Sequence, residues 1–446
     1  MRQRRSAPAQ AEARDESLTL ETADGAVNHA HRASWVNRRG FSRYLAACVA
    51  ATRPKSLTAA VIPFAVGTSL ASAEGPLRWT HAVPAFVAFV LMQIGCNLVN
   101  DACDFLRGAD GPARTGPTRV SQAGVFRAGT VHLCGVACLV LSAACMTPAA
   151  LDLEYHTAGG FLTDEVSDTA STTRLGAFLQ NTYRYRLKHE PFELSDVQWP
   201  IALLATFSIA AAYGYTGGPF PLAYHGLGDF TVIVFFGVVA VALARRTHLP
   251  GTYEAPKESD GTYYSSYLTN DLKRTLLNED ALVAGAQTGA LACVLLAVNN
   301  VRDLNTDKAA NKKTLAVKYG LEFVKREIDV LLTFAFACTW YWWFTRVTVS
   351  NDNEGGGVFR TPEELLTSTE TNARETRWSY ASTAPCLTIP LALSVSRRAR
   401  LLQPGHGDCD GVLAAAAALH FAFGGLLAVG IWLDGSMGAE GDTDRR

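Results

Sequence analysis

The stretch that decides the fold is Ala82-Val-Pro-Ala-Phe-Val-Ala-Phe-Val-Leu-Met-Gln-Ile-Gly-Cys-Asn97-Leu-Val-Asn100-Asp101-Ala-Cys-Asp104. It opens with an apolar run that carries no Asp, Glu, Lys or Arg and closes on a knot of carboxylates and carboxamides. An uninterrupted run of about 20 apolar residues is what a helix needs to cross a hydrocarbon core, so Ala82–Asn100 reads as a membrane span with an acidic end. In such a span every backbone N–H and C=O is satisfied within the helix, which is what lipid demands.

Working outward, eight more stretches lack charge: Leu57–Ala73, Ala128–Leu151, Val197–Gly228, Phe230–Ala244, Ala281–Val301, Val330–Thr345, Ala381–Ser396 and Gly411–Leu433. The expected fold is therefore all-α, a ring of about nine transmembrane helices with a polar cap on the cytoplasmic side. Gly217-Gly218-Pro219 should stop the fourth helix and start a loop.

The composition agrees. Charged residues are 18% of the chain, against roughly 25% in soluble domains, and 48% of residues are hydrophobic. A net charge of −1 with no basic stripe interleaved with aromatics gives no sign of a nucleic-acid partner. The ten cysteines show no metal-ligand or disulfide spacing, and most lie in apolar stretches, where cysteine behaves as a small hydrophobe.

Residues 1–45 read as a polar, disordered tail without the apolar core of a secretory signal, and 436–446 as a second polar tail. The transmembrane domain, 46–435, carries polar inserts at 152–196, 245–280 and 346–380. With the first helix starting on one face, all three inserts fall on the opposite face. The short Arg- and Lys-rich connections share the first face, which then reads as cytoplasmic by the positive-inside bias.

The chemistry concentrates at two helix ends on that basic face. Asn97, Asn100, Asp101 and Asp104 follow at i, i+3, i+4 and i+7, a spacing that groups them on one helical face. Asn299, Asn300, Asp303 and Asp307 close the sixth span in the same manner. Carboxylates at the ends of apolar spans are costly unless they pair or bind something. Converging carboxylates suit Mg2+, a hard cation that is usually held by one or two carboxylates plus substrate phosphates. Arg302 and Lys312 stand ready to take phosphate oxygens.

At these residues the chain resembles the UbiA superfamily of intramembrane prenyltransferases, and within it the branch that prenylates 1,4-dihydroxy-2-naphthoate in menaquinone and phylloquinone synthesis. The resemblance rests on Arg53-Pro54-Lys55-Ser56, on Asn97 to Asp110 with Arg119-Val-Ser-Gln122, on Tyr215-Thr-Gly-Gly-Pro219 through Gly228-Asp229 to Phe235-Phe-Gly237, and on Asn299-Asn300-x-Arg302-Asp303-x-x-x-Asp307 with Lys312. It implies that Asp101, Asp104, Asp303 and Asp307 hold Mg2+ and are catalytic. It further implies that Arg53, Lys55, Asn97, Asn100, Asp110, Tyr215, Asn299, Asn300, Arg302 and Lys312 bind a prenyl diphosphate and an aromatic acceptor. Partners beyond these substrates would be membrane lipid. Asp229 reads equally as a helix cap or as a substrate contact. Two other readings stay open: a sister enzyme acting on 4-hydroxybenzoate or homogentisate, and an ion-coupled transporter using the same carboxylates.

Overall fold

The computed structural model describes Val36 and residues 40–111, 114–156, 184–186, 197–249, 270–346, 379–404 and 408–443. The first tail, apart from a few residues, and most of each polar insert lie outside these. The described chain is helical save for one antiparallel pair of three-residue strands, Glu154–His156 with Arg184–Arg186.

Five helices are long and apolar enough to cross a bilayer among the described residues: α3 (Trp79–Leu106), α4 (Ala128–Ala150), α6 (Gly228–His248), α7 (Glu279–Arg302) and the C-terminal helix from Cys409. A sixth crossing is the bent pair of α1 (Phe41–Thr52) with its following turn and α2 (Thr58–Ser72), which meet at 50°. The other expected spans are present as shorter or broken helices. Trp199–Gly214, here α5, has 16 residues and stops ahead of the Gly-Gly-Pro turn. Val330–Thr345 is divided at Cys338 between α8 (Leu321–Ala337) and α9 (Thr339–Arg346). Ala381–Ser396 begins as a turn of helix, tightens to a 3-10 segment at Ala384–Thr388 and ends as Ile389–Ala399. Counting apolar windows thus finds the elements but overstates how many are single, full-length spans.

Helix boundaries follow local chemistry. Asn278 caps α7 by accepting from the Ala281 amide, and Glu279 and Asp280 complement the positive end of the helix dipole. α6 runs on through Arg245 and Arg246, which were expected to open an insert. Both are buried, Arg246 bonding Gln198 at 2.8 Å and Asp271 at 3.2 Å. α6 and α7 pack backbone to backbone: a Cβ on Gly237 would stand 2.3 Å from the Gly285 carbonyl oxygen. Small residues allow this approach where no hydrophobic effect drives helices together in lipid. The π-turn at Val234–Val238 sits at the same crossing. This contact sets the start of α6, with Asp229, against Cys293 of α7 and fixes one wall of the site.

Candidate active site

The basic face holds a polar cavity of about 700 Å³. The end of α3 contributes Asn100 and Asp104, the following loop Asp110 and Arg119, and the end of α7 Asn299, Asn300, Arg302 and Asp303. Asp307 and Lys312 come from the segment after α7, and Arg53, Tyr215 and Asp229 complete the lining.

The two acidic helix ends meet through cations. Lys312 Nζ lies 3.0 Å from Asp104 and 3.8 Å from Asp307, joining residues 208 and 5 positions away in sequence. Arg114 spans Asp110 at 2.7 Å and Asp303 at 3.2 Å and also donates to the Pro117 carbonyl at 2.7 Å. Arg302 grips Asp303 with two nitrogens, at 2.9 and 2.8 Å, and reaches Asp410 at 3.3 Å. Gly116 leaves room for both guanidiniums, since a Cβ would stand 2.7 Å from Arg302 Nε and 2.8 Å from an Arg114 nitrogen. Tyr224 donates to the second oxygen of Asp104 at 2.8 Å, and its ring lies 5.0 Å from Arg107 and 5.3 Å from Lys312. Both distances suit cation–π contact.

Charge and burial act against each other on the carboxylates. Burial pushes Asp307 up to about 7, with Lys312 pulling the other way. Burial also acts on Asp303, but Arg114 and Arg302 outweigh it and hold the group well below the usual carboxylate range. Burial raises Asp110 against the pull of Arg114 and Arg119. Lys312 is depressed by burial and raised further by Asp104 and Asp307, ending above its ordinary value. It is therefore a fixed positive charge between two helices.

Three expected site residues do not line the cavity. Asp101 turns toward the loop after α3, where it accepts from the Val120 amide at 3.2 Å and the Ser121 amide at 3.1 Å. Asn97 donates to the Thr52 carbonyl and Ser56 hydroxyl, both at 3.0 Å. Lys55 is exposed. The helical period explains the first two. At about 100° per residue, Asn100 and Asp104 occupy one edge of the polar stripe, and Asn97 and Asp101 the other. Arg53 does face the cavity, donating to Asn100 at 2.9 Å from a left-handed backbone position. Arg114 and Tyr224 were not foreseen. Tyr224 reaches Asp104 from 120 positions away, and Arg114, beside its local pairing with Asp110, reaches Asp303 across 189 positions, so no local pattern shows either contact.

An apolar cavity of about 570 Å³ adjoins this site. Phe89, Met92, Cys96, Phe235, Phe236 and Leu243 are among its walls. Tyr215 lines both cavities.

A bundle of membrane-crossing helices with a polar, charged cavity beside an apolar one defines a multi-pass integral membrane protein. Residues 195–350 match the UbiA prenyltransferase family. The chain is 30% identical over 272 residues to 1,4-dihydroxy-2-naphthoate octaprenyltransferase of Mycobacterium tuberculosis, covering 61% of this chain and 69% of that one. It is 29% identical over 287 residues to the protein of the same name from Escherichia coli, covering 64% and 72%. Among solved structures it is similar to a UbiA homolog from Aeropyrum pernix, with a TM-score of 0.48, 14% identity, and coverage of 84% of this chain and 97% of that one. The chain belongs to the UbiA prenyltransferase family.

Proposed function

We propose that the protein transfers an isoprenyl chain from a prenyl diphosphate to an aromatic ring, with 1,4-dihydroxy-2-naphthoate as acceptor, releasing diphosphate and CO2 in quinone biosynthesis of the menaquinone or phylloquinone type. The observation that carries this reading is the junction at Tyr215: a polar, cation-lined cavity and an apolar one share that wall. A prenyl diphosphate has the same two-part chemistry. The two relatives above are named for this acceptor.

The residues present suit Mg2+. Asp104, Asp110, Asp303 and Asp307 offer hard carboxylate oxygens and Asn100 and Asn300 neutral ones, all lining one cavity. Asp110 Oδ2 is buried with no hydrogen-bond partner, with Arg119 Nε 3.7 Å away, and can take a further ligand. Asp104, Asp303 and Asp307 line the cavity and would hold the ion, while Asp101 does not line it and turns instead to the amides of Val120 and Ser121. When bound, Mg2+ neutralises charge on the diphosphate.

The chain's own groups do the rest. Arg53, Arg119, Arg302 and Lys312 converge on the polar cavity and bind diphosphate oxygens. Their hold strengthens as the allylic carbon–oxygen bond loosens and charge grows on the leaving group, which is where catalysis gains over simple binding. The apolar cavity seats the tail and keeps water from the developing allylic cation. The Tyr215 ring, at the junction, offers it a π face.

The test is mass spectrometry of products from purified protein given 1,4-dihydroxy-2-naphthoate and a panel of prenyl diphosphates. The expected product carries the prenyl group and has lost the acceptor's carboxylate. A prenylated product that keeps it, or prenylation of 4-hydroxybenzoate or homogentisate alone, would reject the acceptor named here.

A further inference from the structure

One polar group on the cavity wall has no part in the reading above. Asp229 is 6% exposed and lines the polar cavity at the first turn of α6. Its neighbour Gly228 packs on the Tyr215 hydroxyl: a Cβ there would stand 3.2 Å from that oxygen. Asp229 therefore lies beside the junction of the two cavities, where the reacting carbon of a prenyl diphosphate belongs. Behind it, away from the acidic helix ends, are Cys293 of α7 and Glu327 of α8. One ligand-type atom from each of the three residues lies within 4.8 Å of the others. Cys293 Sγ donates to Asp229 Oδ1 at 3.6 Å, and Glu327 Oε2 is buried without a hydrogen-bond partner. Neither carboxylate forms an ion pair with a described Lys, Arg or His. Two carboxylates this close with no cation between them hold one negative charge rather than two, so one proton resides on the pair.

We infer that Asp229 is the group that takes the proton from the acceptor's ring hydroxyl and later returns it, with Glu327 as the positioning residue that shares the charge. This rests on the aromatic acceptor proposed above. The acceptor O–H bond breaks and its proton goes to Asp229. The oxygen's electron pair forms a ring carbonyl, and the ring carbon uses its π pair to form the new bond to the prenyl carbon. The allylic C–O bond breaks, and its pair leaves with diphosphate. At the substituted carbon the carboxylate departs as CO2, and the pair of that C–C bond restores the ring as a phenolate. Asp229 then hands the proton back, and the enzyme ends as it began. A paired carboxylate suits this cycle because it starts with a single negative charge and is neutral while it holds the acceptor's proton, so it never carries two charges in its buried setting.

The test compares Asp229→Asn and Glu327→Gln, both close to isosteric, in purified enzyme with 1,4-dihydroxy-2-naphthoate and a prenyl diphosphate. A general base contributes about 10²–10⁴-fold. Asp229→Asn should lower kcat by about that factor while leaving the KM for prenyl diphosphate unchanged. Glu327→Gln should lower kcat less, and the double variant should be no slower than Asp229→Asn alone, since both act through one proton. The solvent deuterium isotope effect on kcat should change in each. An Asp229→Asn enzyme with wild-type kcat overturns the assignment, as does one whose loss lies in the KM for prenyl diphosphate. If the wild type itself fails to prenylate the naphthoate, it is the acceptor that is wrong, and the two failures are told apart.

Discussion

Replacing Arg114 by alanine tests how the acidic loops are held. The side chain is 1% exposed and, among the described residues, is the one that pairs with both Asp110 and Asp303. Its loss removes a 2.7 Å and a 3.2 Å ionic contact and a 2.7 Å bond to the Pro117 carbonyl, and leaves the buried Asp110 and the partly buried Asp303 short of positive charge. Removing one partner of a buried pair costs about 3–5 kcal/mol. Arg302 still holds both oxygens of Asp303, and Arg119 stays 3.7 Å from Asp110, so the lower end, about 3 kcal/mol, is the expected loss. Denaturant titration in detergent micelles, followed by tryptophan fluorescence, reads it. Arg114→Lys keeps the charge but not the fork that reaches two carboxylates and a carbonyl, and should recover less than half of the loss. Added Mg2+ should restore stability to Arg114→Ala more than to wild type, because the freed carboxylates gain a cation. An alanine variant as stable as wild type without Mg2+ would refute the bridge.

Three further outcomes follow from the geometry. Tyr224→Phe removes the hydroxyl that orients Asp104, a hydrogen bond to a charged group worth about 1.5–3 kcal/mol. Steady-state assay should show a fall of about ten- to a hundred-fold in kcat/KM with the protein still folded. Gly237→Val puts a side chain where a Cβ alone would be 2.3 Å from the Gly285 carbonyl oxygen, and should cost at least about 1–3 kcal/mol, seen as a lowered denaturation midpoint. Stripping divalent ions with EDTA should abolish prenyl transfer, and Mg2+ should restore it; full turnover in EDTA would remove the metal from the reaction.

What the sequence made legible was local. Charge-free windows found the helices, because lipid leaves no alternative way to satisfy a backbone. The acidic stripes at Asp104 and Asp303 pointed to two helix ends that do meet, joined through Lys312 and Arg114. The division of the first stripe was less visible. Asn97 and Asp101 tie α3 to the segment before α2 and to the loop at Val120, and which edge of a stripe faces a cavity depends on neighbours far away in sequence. Arg114 and Tyr224 stayed hidden for the same reason: a lone Arg in a short basic connection, and a lone Tyr after Gly-Gly-Pro, show no periodicity that separates a structural tie from a surface residue. Glu327 sits in a polar first half of α8, and only the fold brings it to Asp229.

The central claim is that the ends of α3 and α7 form one divalent-cation site for a prenyl diphosphate, and equilibrium binding of a radiolabelled prenyl diphosphate to purified protein, with and without Mg2+, tests it most directly. Mg2+ should strengthen binding to the wild type, and Asp104→Asn or Asp303→Asn alone should erase that strengthening. Mg2+-dependent binding that survives in either variant would contradict a shared site.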